Sequence, residues 1–157
     1  MQRLFLSLLL SIMLFGCSGK STAPDITFST ITGEKIALSQ LRGKPVLITF
    51  WATSCDSCIK EVPHLIELHR EFYLKGLNII AVAMPYDPPS RVLEFSKMQF
   101  LPYRVALDMQ SEAVNAFQVM ATPTTFLIAP DGKIVWQKIG LFDLNEMKTQ
   151  VSILLKG

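Results

Sequence analysis

Cys55 and Cys58 stand two residues apart in the segment Phe50-Trp51-Ala52-Thr53-Ser54-Cys55-Asp56-Ser57-Cys58. At a junction between a strand and a helix, a pair so spaced closes a disulfide at little backbone cost. The unpaired amides and the dipole of the helix start stabilise an anion, which lowers the pKa of the first cysteine. A thiolate at Cys55 can attack a partner disulfide, and Cys58, one turn into the helix, can resolve the mixed disulfide. Zinc is a rival use, because His64 and His69 follow on the same helix. At about 100° per residue, however, His64 lies some 240° around from Cys58 and His69 about 140° beyond His64. Such scattered directions do not close a tetrahedral site, so both histidines read as helix-surface residues and no metal is expected. A purely structural disulfide is the other rival. It explains neither the tryptophan at the strand end nor the position at a helix start.

Glu61 is the next chemical candidate, about 60° around the helix axis from Cys58. A carboxylate there can exchange protons with the resolving thiol, directly or through water, and partial burial would raise its pKa towards the working pH. The competing reading is a solvated glutamate near a helix N-terminus, and spacing alone favours it. Further on, Thr122-Pro123 opens the run Thr124-Thr125-Phe126-Leu127-Ile128. Proline is permitted at a strand's first residue, and an X-Pro bond here can be cis.

The elements that must hold these residues follow from the patterning. With 157 residues, 50% of them hydrophobic and 18% charged, the chain has the makings of one packed domain and not of a disordered polymer. A formal charge of +2 is too small for a nucleic-acid footprint. Residues 26–30 and 35–38 flank Thr32-Gly33-Glu34 as a small hairpin. The unbroken run Val46 to Trp51 reads as a strand buried on both faces. Helical spacing runs from Asp56 to about Lys75, and Leu77 to Met84 forms another buried strand. Asp87-Pro88-Pro89-Ser90 reads as a capped start for a helix through Met98. Residues 103–107 form a short strand, 111–117 a short helix, and 124–128 with 133–138 a hairpin around Asp131-Gly132. Residues 144–155 close the chain as an amphipathic helix. The expected fold is α/β, a mixed sheet with helices on both faces and an N-terminal β-hairpin.

The N-terminus reads as an address. One positive charge, Arg3, precedes an apolar run from Leu4 to Phe15, too short for a comfortable membrane span. The run stops at Gly16-Cys17, which resembles the lipobox of bacterial lipoproteins, whose cysteine is acylated. Residues 1–16 are therefore expected to be a signal peptide, 17–23 a lipid-anchored tether attached through Cys17, and 24–157 the domain.

Gly43-Lys44-Pro45 through Cys58, Lys60-Glu61-Val62-Pro63, Thr122 to Ile128 and Asp131-Gly132-Lys133 together resemble the thioredoxin superfamily. More closely, the chain is similar to exported TlpA/ResA-like disulfide reductases. The resemblance implies a thioredoxin fold with Cys55 as nucleophile, Cys58 as resolving cysteine and Glu61 as the acidic residue beside it. Thr122 and the cis-proline Pro123 would position substrate, together with Trp51. Thr49 stands where cytosolic thioredoxins bury an aspartate, so a proton relay would rely on Glu61. The expected activity is reduction of disulfides in exported proteins on the periplasmic face of a bacterial membrane, with apocytochrome c one candidate client. A membrane thiol reductant would act upstream. No cofactor beyond the Cys55–Cys58 pair is implied. The alternatives are a peroxiredoxin-like enzyme, whose motif would need proline at Ile48 and threonine at Ala52, and a non-catalytic thioredoxin-fold binding module.

Overall fold

A computed structural model describes residues 21–156. Seven strands and four α-helices alternate along the chain: β1 (Thr27–Thr30), β2 (Lys35–Ala37), β3 (Val46–Trp51), α1 (Asp56–Phe72), β4 (Asn78–Ala83), α2 (Pro89–Met98), β5 (Arg104–Leu107), α3 (Glu112–Ala116), β6 (Thr124–Ile128), β7 (Ile134–Ile139) and α4 (Leu144–Lys156). They form one mixed sheet in the order β2-β1-β5-β4-β3-β6-β7. The three central strands β5, β4 and β3 are parallel, and every other neighbouring pair is antiparallel.

Strand period and burial explain this arrangement. β3 and β4 are buried at every position, as their unbroken apolar and β-branched runs require. Successive side chains point to opposite faces, so the core divides in two. Leu47, Ile79, Ala81 and Leu127 meet Leu65, Leu68 and Phe72 of α1, Val92 of α2, and Met147 and Val151 of α4. On the other face Ile48, Phe50, Ile80, Val82 and Phe126 meet Ala113 of α3, Phe117 and the Phe28 end of the small hairpin. Helices thus cover both faces.

The parallel strands give the sheet two distinct ends. Their C-termini lead into the loops at residues 52–55, 84–88 and 108–111, and the 118–123 and 140–143 loops flank β6 and β7 at the same end. The opposite end carries the loops at 31–34, 42–45, 73–77, 99–103 and 129–133. There Gly132, at φ +84, brings the β6–β7 turn so close to Arg42 that a Cβ would overlap the guanidinium.

The expected boundary between tether and domain at residues 23 and 24 falls too late. Ala23 is buried, its N–H donates to Gly132 O at 2.9 Å, and Ile134 N–H donates to Ser21 O at 2.9 Å. Residues 21–23 thus extend the sheet beside the β6–β7 turn, a pairing that local patterning does not reveal. The expected signal peptide and Cys17 lie outside the described residues. Among the described residues, no helix is long and apolar enough to cross a membrane.

Candidate active site

β3 ends at Trp51, and Cys55 N–H donating to Ala52 O at 3.1 Å closes the turn that follows. Cys55 is the N-cap of α1, in extended backbone conformation, and Cys58 N–H donates to its Sγ at 3.2 Å. A cysteine sulfur thus stands where serine or aspartate usually accepts the first free amides, a place that stabilises a thiolate. The two cysteines are joined as a disulfide with Cα atoms 5.2 Å apart. They differ in access: Cys55 is half-buried, whereas Cys58 is 2% exposed. Ser57 Oγ lies 3.4 Å from Cys55 Sγ.

The loop ahead of Cys55 is held from an unexpected quarter. Asp87 caps nothing, because the N-cap of α2 is Pro88 and makes no side-chain hydrogen bond. Its buried carboxylate instead accepts from Thr53 N–H at 2.6 Å and Thr53 Oγ1–H at 2.7 Å. Pro88, not Asp87, holds the N-cap position, which leaves the aspartate free for this task.

Glu61 is 1% exposed, so the solvated-surface reading is wrong. Thr49 Oγ1 donates to its Oε2 at 3.2 Å, Thr125 Oγ1 donates to Thr49 Oγ1 at 2.9 Å, and Phe142 N–H donates to its Oε1 at 3.4 Å. Thr49 and Thr125 are direct cross-strand partners of β3 and β6. Burial raises the Glu61 pKa from 4.5 to about 7, against the opposing pull of the hydrogen bonds from Phe142, Thr49 and Thr125. Glu61 and Cys58 both line a small cavity of about 10 Å³, with Trp51, Leu101 and Tyr103 among its other walls. That volume is about the least that holds one water. The Tyr103 hydroxyl has its pKa pushed up, first by burial and then by the charge of Glu61.

Trp51, expected to help position substrate, is a core residue. Only 4% exposed, it packs on Phe95 with ring centroids 5.3 Å apart, and its Nε1–H is buried without a hydrogen bond. It lies beneath the disulfide as part of the core. The Thr122–Pro123 bond is cis, Thr122 is half-buried and Pro123 is buried. Thr124 pairs with Phe50, which puts Pro123 at the Cys55 end of the sheet, and Gly140 N–H donates to Pro123 O at 2.8 Å. Neither histidine is a plain surface residue. Half-buried His64 packs on Phe142, and half-buried His69 stacks on Tyr73 at 4.7 Å, where burial lowers its pKa.

Sequence reasoning passed over Asp87, Thr125, Tyr103 and Phe142. Asp87 carried a usable signal, since it lies just beyond the C-terminus of a buried parallel strand, where α/β sheets place their sites. The other three meet Glu61 only through long-range packing.

A family model described as AhpC/TSA matches residues 20–137. The chain belongs to the AhpC/TSA family. It is 36% identical over 137 residues to the thiol-disulfide oxidoreductase ResA of Bacillus subtilis, across 87% of this chain and 76% of that protein. It is 37% identical over 114 residues to the ResA of Geobacillus thermodenitrificans, across 73% of this chain and 65% of that protein. Among solved structures, it is similar to the thioredoxin domain of a thiol-disulfide oxidoreductase from Bacteroides vulgatus, with a TM-score of 0.74, 27% identity, and 84% and 96% of the two chains covered. A thiol:disulfide interchange protein from Chlorobium tepidum matches at a TM-score of 0.80 and 22% identity over 88% and 98% of the chains, a likeness of fold. The expected thioredoxin fold is thus the observed one. This AhpC/TSA member is a thiol-disulfide oxidoreductase of the ResA type, with Cys55–Cys58 as its Cys-x-x-Cys pair.

Proposed function

We propose that the chain is an exported, membrane-tethered reductase of disulfides in extracytoplasmic proteins, held to its membrane through Cys17. The observation that carries the chemistry is one helix start presenting a half-buried Cys55, a shielded Cys58 and, one turn later, a buried carboxyl with a pKa of about 7. In the reduced form, the Cys55 thiolate attacks a partner disulfide, bonds to one sulfur and expels the other as a thiolate. Glu61 then takes the proton of Cys58, whose thiolate attacks Cys55 Sγ and releases the partner's second sulfur. The partner gains two electrons, its two sulfurs take one proton from Glu61 and one from solvent, and the Cys55–Cys58 disulfide forms. A membrane thiol reductant restores the dithiol. Thr122 and Pro123 offer backbone to an extended substrate, and the exposed Tyr86, Met120 and Leu141 give that end of the domain an apolar rim.

Reduction is the favoured direction because Asp56 sets a negative charge beside Cys55, and a less stabilised thiolate makes a more reducing couple. The peroxidase alternative fares poorly: Ile48 and Ala52 are both completely buried where its motif would place proline and threonine.

Reduction of insulin by the dithiol form, with no consumption of hydrogen peroxide, is the expected result. Peroxide turnover without insulin reduction overturns it, and inactivity on both returns the chain to a binding module. The mass of the mature N-terminus and its membrane fraction test the anchor: an unmodified terminus in a soluble extract overturns it. Identifying proteins trapped on Cys55 tests whether apocytochrome c is a client.

A further inference from the structure

The sheet has two ends, and they carry opposite charge. Residues 21–156 hold thirteen basic and thirteen acidic side chains. Consider the end away from the disulfide as its five loops, the residues opening β2 and β5, and the last turns of α1, α2 and α4. Nine of the basic residues lie there and three of the acidic ones, Glu34, Glu71 and Asp131. That end therefore has an excess of six positive charges, and the rest of the domain an equal negative excess. Only Arg104 and Lys133 of the nine enter ion pairs among the described residues, with Glu34 and Asp131.

The same end exposes large apolar side chains. Leu74 is 94% exposed, Phe100 87%, Met98 60% and Tyr73 53%. Phe100 also has φ +50, a backbone region where bulky residues are rare. Beside Tyr73 runs a groove of about 550 Å³, lined by Ile31, Ile79, Leu101, Lys97 and Arg104. An apolar patch flanked by cations, of which Lys44, Lys75 and Lys97 enter no ion pair among the described residues, matches the interfacial layer of a bilayer whose headgroups are anionic.

The path of the chain points to the same occupant. Residues 21–23 join the domain beside Lys133, at this end of the sheet. From Cys17 to Ser21 is four residues, a reach of at most about 14 Å. Lys133 leads into β7, which is three strand spacings from β4, about 14 Å. An anchor at Cys17 therefore holds Leu74 and its neighbours at the bilayer surface.

We propose that the end of the domain opposite Cys55 seats on an anionic phospholipid surface. Tyr73, Leu74, Met98 and Phe100 enter the interfacial layer, and Lys44, Lys75 and Lys97 meet phosphate headgroups. The seating rests on the membrane-tethered reading above, and it turns the disulfide away from the lipid by the length of the strands, about 20 Å.

The test uses the full-length protein in vesicles of phosphatidylcholine with and without phosphatidylglycerol. Photoreactive benzoylphenylalanine replaces Leu74, Phe100 or, as the control at the disulfide end, Met120, which is 94% exposed. The expected result is at least tenfold more lipid adduct at Leu74 and Phe100 than at Met120. Combining Lys44→Glu with Lys75→Glu should lower the adduct severalfold in the anionic vesicles and leave insulin reduction unchanged. Equal labelling at Leu74 and Met120, no adduct, or adducts to a second copy of the chain overturns the seating. The N-terminal mass, read on the same samples, separates the two ideas. Acylated Cys17 without adduct at Leu74 refutes the seating and keeps the anchor, whereas adduct with unmodified Cys17 keeps the seating and refutes the anchor.

Discussion

Thr49 donates its hydroxyl proton to the buried carboxylate of Glu61 at 3.2 Å and accepts one from Thr125 at 2.9 Å. The strand below the disulfide thus contributes a neutral donor, and the acid comes from the helix. Charge at this depth appears only when Glu61 ionises, which the surrounding burial resists.

The pH dependence of stability follows from that resistance. The unfolded carboxyl titrates near 4.5 and the folded one near 7, so between those values the folded state holds more protons than the unfolded state. Stability should be fully present below pH 4.5, fall by about 3 kcal/mol as pH rises to 7, and level off above. Glu61→Gln should abolish this fall. Urea denaturation at pH 5 and pH 8 checks it, and an equal slope in both proteins would contradict a raised Glu61 pKa. The same variant should slow release of mixed disulfides by about tenfold or more at neutral pH.

Thr49→Val keeps the volume of the side chain and removes the donor. The Glu61 midpoint should then move above its wild-type value, because one of the bonds favouring the ionised form is gone. Carboxyl carbon NMR of labelled glutamate reads the midpoint directly. A midpoint that stays or falls would show that the Thr49 bond is unimportant to the carboxylate.

Asp87→Ala strips two hydrogen bonds from Thr53 and leaves its amide unpaired beside the site. Each bond to a charged acceptor contributes about 1.5–3 kcal/mol, so a loss of about 3 kcal/mol is expected. Thermal or urea unfolding measures it. Disulfide exchange should slow as well, because the loop that positions Cys55 loosens.

The cysteines should behave unequally. Cys58→Ser should accumulate reducible adducts on the more accessible Cys55, and Cys55→Ser should accumulate almost none. A non-reducing gel at equal protein abundance distinguishes them. Equal trapping by both variants would remove the asymmetry of roles.

What the sequence disclosed depended on the range of the interactions. The Cys-x-x-Cys pair, both hairpins and the strand–helix alternation are written in neighbouring residues, and each lies within three residues of its expected place, α1 giving way at Phe72 to a short 3-10 turn through Lys75. Glu61 had the right angle about its helix, but burial decides its chemistry. That burial is made by Thr49 on β3, Thr125 on β6 and the 142 loop, and Phe142 lies 81 residues away. Asp87 misled for a similar reason. Its local context of two prolines and a serine spells a helix start, yet its partner is Thr53, 34 residues earlier. Residues 21–23 look like spacer until the β6–β7 turn provides an edge for them to join.

That edge determines how the domain withstands force. Tension applied at Ser21 first meets two backbone hydrogen bonds, from Ala23 N–H to Gly132 O and from Ile134 N–H to Ser21 O. Behind them the turn is clipped to the loop preceding β3 by Gly43 N–H on Pro130 O and by Arg42 on Asp131 O. Force entering at Ser21 is therefore spent on the β6–β7 turn, at the far end of β3 from its sulfurs. Under stretching, residues 21–23 should peel from their place beside Lys133 before the turn holding Cys55 and Cys58 is disturbed.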